Sequence, residues 1–144
     1  MNKWFRIILI LATIGIIAAL YIYFFVYNKS HPDYANLKPD YELTAKELFD
    51  SYKTNKSFSD SLYTGKMIQI TGSINKWEEI DSLQIAIMVF DQGMFGDEGI
   101  RCTMIPGQPI QEDHKIPDKT LQIKGLCTGY NDTDVILEKC TIVK

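Results

Sequence analysis

Cys102, Cys127 and Cys140 are the side chains in this 144-residue chain best suited to nucleophilic or metal chemistry. A reactive thiol needs a neighbouring base or cation that lowers its pKa. The chain has no Cys-x-x-Cys pair, and neither histidine, His31 or His114, is placed to activate a thiolate. Three cysteines without paired ligand spacing make no zinc site, and two isolated histidines in loops read as surface residues. Carboxylates gather at Glu78, Glu79 and Asp81, and again at Asp91, Asp97 and Glu98. A calcium site needs several oxygens converging on one point. The stretch DQGMFGDEG, Asp91 to Gly99, does not match an EF-hand loop and reads as a solvated, glycine-rich hairpin turn. Glu78 and Glu79 are a poor glycosidase pair, and the chain has neither a strand–glycine–helix phosphate loop nor a Ser/His/Asp order. The expectation is a non-enzymatic protein with no catalytic residues, no cofactor and no metal.

Composition narrows the class. With 46% apolar and 23% charged residues the chain is not collagen, a mucin-like stalk or wholly disordered. A net charge of −3 excludes a strongly basic nucleic-acid binder. The apolar residues are unevenly spread. Ile7 to Tyr27, 21 residues, contain no charge, and about 20 apolar residues suffice to cross a bilayer. Trp4 and Phe5 precede the run, and Tyr21, Tyr23, Phe24, Phe25 and Tyr27 crowd its far end, as interfacial anchors do. The run exceeds the ~7–15 apolar residues of a cleaved signal peptide and ends in bulky side chains. No cysteine follows it to carry a lipoprotein anchor. Lys3 and Arg6 precede the span and only Lys29 follows closely. The positive-inside rule then leaves the N-terminus in the cytoplasm and the remainder outside, in a periplasm or at a cell surface. The residues after Tyr27 hold 13 bases and 18 acids, a net charge of −5.

Three parts follow: a transmembrane anchor over residues 1–27, a tether over 28–42 and a folded domain over 43–144. The tether, with two prolines and no period, contains His31. Thr44-Ala-Lys-Glu47 is a capping box. Leu48, Phe49 and Tyr52 then recur at helical spacing, which predicts an amphipathic helix from about Ala45 to Asn55, with Leu43 as a staple. Lys56 to Tyr63 is a candidate second helical turn before Gly65.

From Met67 the period changes to 2. Ile68, Ile70 and Ile74 alternate with polar residues around Gly72, where a barrel strand could bend or bulge. Trp77 to Asp81 reads as a turn. Ser82 to Phe90 reads as a second strand, with Leu83, Ile85, Ile87 and Val89 on one face and Gln84, Ala86, Met88 and Phe90 on the other. Ile100, Cys102 and Met104 mark a third strand, and Pro106 to Lys119 is a long connection with three prolines. Leu121, Ile123 and Gly125 mark a fourth strand. Val135 to Val143 is a fifth, bulged around Glu138-Lys139. Five strands with a long third connection predict a mainly β (α+β) fold: an OB-fold Greek-key barrel preceded by an amphipathic helix. Another small barrel or sandwich is the alternative.

The segments LTAKELFDSYKTN, YTGKMIQITGSI, RCTMI and LQIKGLCTGYNDTDVILEKCTIV resemble the bacterial tRNA anticodon-binding-like OB-fold family, over about Leu43 to Val143. Asn55, the Ile70-to-Ile74 segment and the Lys124-to-Gly129 segment carry the likeness. Pro106 to Lys119 departs from it, where the family tends to have a lysine-rich helix. The resemblance implies an exported or membrane-anchored protein and supplies no catalytic residues.

Fold order places the fifth strand between the third and fourth. In an oxidising compartment Cys127 and Cys140 are then the favoured disulfide, Cys102–Cys140 the alternative, and three buried thiols the third possibility. OB ligands lie on the second and third strands and their loops. Trp77, Gln84, Met88, Phe90, Phe95, Arg101 and Thr103 are therefore candidate lining residues, with Trp77 and Phe90 alternatively packing under loops or against the helix. The leading expectation is a membrane-anchored, extracytoplasmic binding module for a protein, peptide or glycan. Nucleic acid is the alternative, disfavoured by the charge of −5 and the absence of a basic stripe.

Overall fold

The structure, a computed structural model, describes residues 3–27 and 33–143. It divides into two units, Met1–Pro32 and Asp33–Lys144. The first is α1 (Lys3–Ile22), extended by a π-helical turn over Tyr23–Tyr27. The stretch Lys3–Val26 is 24 residues and contains an 18-residue window with a mean hydropathy of 2.6, long and apolar enough to cross a membrane. His31 and Lys29 lie outside the described residues.

In the second unit, residues 33–42, the described part of the expected tether, make specific contacts with the strands. Lys124, 9% exposed, donates to Ala35 O at 2.8 Å and Leu37 O at 2.6 Å. Lys139 reaches Tyr34 Oη and lies over its ring, 4.3 Å from the centroid. Asp40 pairs with Met67 through two backbone-linked hydrogen bonds. The chain then enters β1 (Tyr41–Thr44), which the periodicity did not show.

Thr44 caps α2 (Ala45–Thr54). Its Oγ accepts from Glu47 N, and the Glu47 carboxylate accepts from Thr44 N at 2.8 Å, as the capping box predicts. Leu48, Phe49 and Tyr52 form its buried face. Asn55 both ends α2 and caps α3 (Lys56–Tyr63), accepting from Phe58 N.

Seven strands, not five, form one sheet: β2 (Met67–Ile74), β3 (Lys76–Ile80), β4 (Leu83–Gly93), β5 (Gly96–Met104), β6 (Lys119–Tyr130) and β7 (Asp134–Ile142) join β1 in the order β1-β2-β6-β7-β5-β4-β3. The sheet is mainly antiparallel, but β1 pairs with β2 and β5 pairs with β7 in parallel. The expected turn at Trp77 to Asp81 is mostly strand β3. It pairs with β4 through a two-residue connection in which Asp81 and Ser82 both have positive φ, 49° and 68°. That is the geometry of a type I′ hairpin turn, built here without glycine. The predicted bulge near Glu138-Lys139 is present: Leu126 faces Glu138 while Lys124 faces Thr141, and Lys139 has φ 53°. The long connection carries one 3-10 turn, Glu112–Lys115.

Gly72 makes no bulge in β2; it keeps register with Leu121. A Cβ there would sit 2.7 Å from Ala45 Cβ and 2.9 Å from Met88 Sδ. Its missing side chain lets α2 approach the sheet, and α2 buries Ala45, Leu48, Phe49 and Tyr52 in a core shared with Ile68, Ile70, Met88 and Ile123.

Candidate binding face

Strand alternation assigns the two faces of β3, β4, β5 and β7. Trp77, Ala86, Cys102 and Leu137 are paired in one cross-strand row, and all belong to the core or pack against it. The neighbouring row, Lys76, Ile87, Arg101 and Ile136, therefore points outward, as does the row Glu78, Ile85 and Thr103.

The seven candidate residues are divided by this geometry. Arg101 and Thr103 lie on the outer face. Met88 has no exposed surface and is part of the core, not of the outer face. Trp77 is half-buried beneath the long connection, its Nε1 donating to His114 O at 3.1 Å. Phe90 sits at a register shift in β4 and packs on Phe49 of α2, ring centroids 5.5 Å apart. Gln84 faces the inner side, and its Oε1 is buried without a partner. Phe95 is 92% exposed at the β4–β5 turn. Sequence reading missed Lys76, Glu78, Ile85, Ile87 and Ile136 as outer-face residues. Both faces of β4 are apolar, so alternation alone did not reveal which one is covered by α2.

Electrostatics on the outer face are closed internally. Arg101 Nε donates to Asp134 Oδ2 at 3.0 Å and Nη1 to Glu78 Oε2 at 3.3 Å. Lys76 Nζ donates to Glu78 Oε1 at 2.6 Å. Two cations and two carboxylates thus form one neutral lattice over Ile87, which is 5% exposed. The Lys76 hydrogen bond, with the charges of Lys76 and Arg101, holds the Glu78 carboxyl below its ordinary value.

The cysteines are three buried free thiols, so the Cys127–Cys140 disulfide is not formed. Cys127 is in register with Leu137, and its Sγ lies 3.4 Å from Tyr52 Oη. Cys140 is displaced from it by the bulge, pairs with Met104, and fills the space above Gly125. Burial raises both thiols above their ordinary range, which keeps them protonated and unreactive. Among the described residues, no three His, Cys, Asp or Glu side chains cluster as a metal site would require.

No curated protein matches this chain. Among solved structures, one from Klebsiella pneumoniae described as a "putative nucleic acid-binding lipoprotein" is 18% identical, with a TM-score of 0.52 over 81% of this chain and 100% of that one. At that identity the likeness is one of fold. Yeast Stn1 and Ten1 align at 15% identity and TM-score 0.39 over 78% of this chain and 66% of theirs. Aspartyl tRNA synthetase from Entamoeba histolytica aligns at 13% and 0.40 over 81% of this chain and 23% of its own. The tRNA_anti-like family model matches residues 1–142, and the chain accordingly belongs to the tRNA_anti-like family.

Proposed function

We propose that this protein is a non-enzymatic binding module, held at a membrane by α1 with its second unit outside the cytoplasm, that receives a protein or peptide on the outer face of β3, β4 and β5. In this reading the sheet is a five-stranded OB barrel with an added edge. Strands β2 and β3 are separated only by Asn75 and serve as one bent strand, so the sheet's order closes covalently on itself, with β1 outside the ring. Asn75 braces the bend, donating its N–H to Ile87 O and accepting from Val89 N through Oδ1 at 2.7 Å. The parallel pairing of β5 with β7 fits the same pattern.

The observation that carries the choice of ligand is the closure of Arg101 by Glu78 and Asp134. A phosphate there would displace two carboxylates in a chain segment, residues 28–144, already at −5. Bases and sugar rings stack on exposed aromatics; of the candidate aromatics Trp77 and Phe90 are turned inward, and Phe95 alone is exposed, at the β4–β5 turn and off the strand face. What remains is half-buried Ile85, Val89 and Ile136 among charged groups, a mixed surface of the kind protein partners bind. Single-stranded nucleic acid on the same face is the second reading, favoured by the name of the Klebsiella lipoprotein.

The full chain in detergent micelles, titrated with labelled single-stranded DNA and RNA, separates the two. Our reading expects no saturable binding at about 0.2 M salt. Saturable binding that weakens steeply with salt and is lost in Arg101→Ala would assign the nucleic-acid function instead. Orientation is checked with a cysteine introduced at Ser61 and an impermeant reagent: labelling of intact cells is expected, and labelling only after lysis would reverse the topology.

A further inference from the structure

Met94 and Phe95 form the two-residue turn between β4 and β5 and are 96% and 92% exposed. The next most exposed large apolar side chain of the same unit, Phe58, is 62% exposed. Two apolar side chains projected this far into water oppose the hydrophobic effect. A loosely held loop would let them fold back onto the surface.

The stem of this hairpin is fixed. Asp91 pairs with Glu98 and Gln92 with Asp97 up to the Gly93–Gly96 pair. The Glu98 carboxylate occupies the space where any side chain at Gly93 would stand. Lys53 of α2 donates to Glu98 Oε2 at 2.6 Å and lies 3.8 Å from Asp91 Oδ2. One helix cation therefore holds a carboxylate from each strand of the stem, and its Nζ lies 5.9 Å from the centroid of the Phe49 ring. The stem that carries the tip is thus tied to the helix.

We propose that this hairpin is a docking finger for a second protein, one offering an apolar pocket with a basic rim. The inference rests on the reading of this unit as a protein-binding module and names the element that enters the partner. Charge decides the partner's chemistry. Asp91, Asp97 and Glu98 surround the tip with Lys53 as the cation paired to two of them, which leaves the collar net negative. Anionic lipid headgroups repel such a collar. Lysines or arginines around a pocket attract it and set the register of the inserted tip.

The test places photoreactive benzoylphenylalanine at position 95 of the full chain in its native membrane, with the same probe at Thr103 and at Ile116 in separate variants. Position 95 is expected to give a protein adduct whose crosslinked peptide carries or adjoins Lys or Arg, and position 116 is expected to give none. Met94→Ser, and separately the pair Asp91→Lys and Asp97→Lys, are expected to lower the adduct about tenfold. A phospholipid adduct, an adduct only with a second copy of this chain, no adduct, or a yield unmoved by both variants would overturn the proposal. A protein adduct at Thr103 with none at position 95 removes the finger and keeps the binding module. No protein adduct at either position removes both.

Discussion

Gly72 and Cys127 show how single side chains are constrained here by neighbours remote in sequence. At Gly72 the obstacle is not φ but the contact of Ala45 and Met88 with the space a Cβ would need. Gly72→Val is expected to destabilise the fold by about 1–3 kcal/mol, as overpacking does, read as a lower midpoint in urea titration. For the cysteines, burial and the absence of a bridge predict that thiol reagents modify none of them in the native protein. All three are expected to react after denaturation without a reductant, and mass spectrometry counts them. Tyr52, whose hydroxyl is pushed above its ordinary range first by burial and then by Cys127, stays neutral through the same conditions. No charged form competes for the core.

The α2 cap is legible in sequence because it is local: Thr44 and Glu47 are three residues apart and satisfy each other's donors. Thr44→Ala is expected to cost about 1 kcal/mol. Glu47 adds a pH dependence. Its carboxyl is held below the ordinary 4.5 by the Thr44 N–H and then the Thr44 hydroxyl. The folded pKa being the lower one, this contribution is complete above 4.5 and is lost as pH falls through the folded value. The difference in urea midpoint between wild type and Glu47→Ala is therefore expected to shrink as pH falls from neutral through that window. Strand β3 was not legible. KWEEI lacks alternating apolar residues, and its turn uses Asp81 and Ser82 where Asn-Gly would have announced a hairpin. Only pairing with β4 makes it a strand.

Residues 33–42 join the second unit by long-range contacts that no local pattern encodes. Lys124 is a nearly buried cation satisfied by two backbone carbonyls, 87 and 89 residues away in sequence. Lys124→Met is expected to free this segment, and chymotrypsin cleavage after Tyr34 should accelerate at least several-fold while urea unfolding of the remainder stays cooperative. An unchanged cleavage rate would show that Tyr34, Asp40 and β1 suffice to hold it. Local and compositional features were readable from the chain alone: the apolar run of α1, the capped helix, most of the strands and the bulge near Lys139. Each depends on neighbours a few residues apart or on a period within one segment. The division of the face was not readable. Alternation separates Met88 from Ile87, yet both are apolar, and burial was settled only when α2 packed on one side through Gly72. The same packing turned Trp77 and Phe90 inward, left Arg101 outside between two carboxylates, and separated Cys127 from Cys140 by a bulge. These outcomes depend on contacts between distant segments, whose geometry exists only once the sheet has assembled.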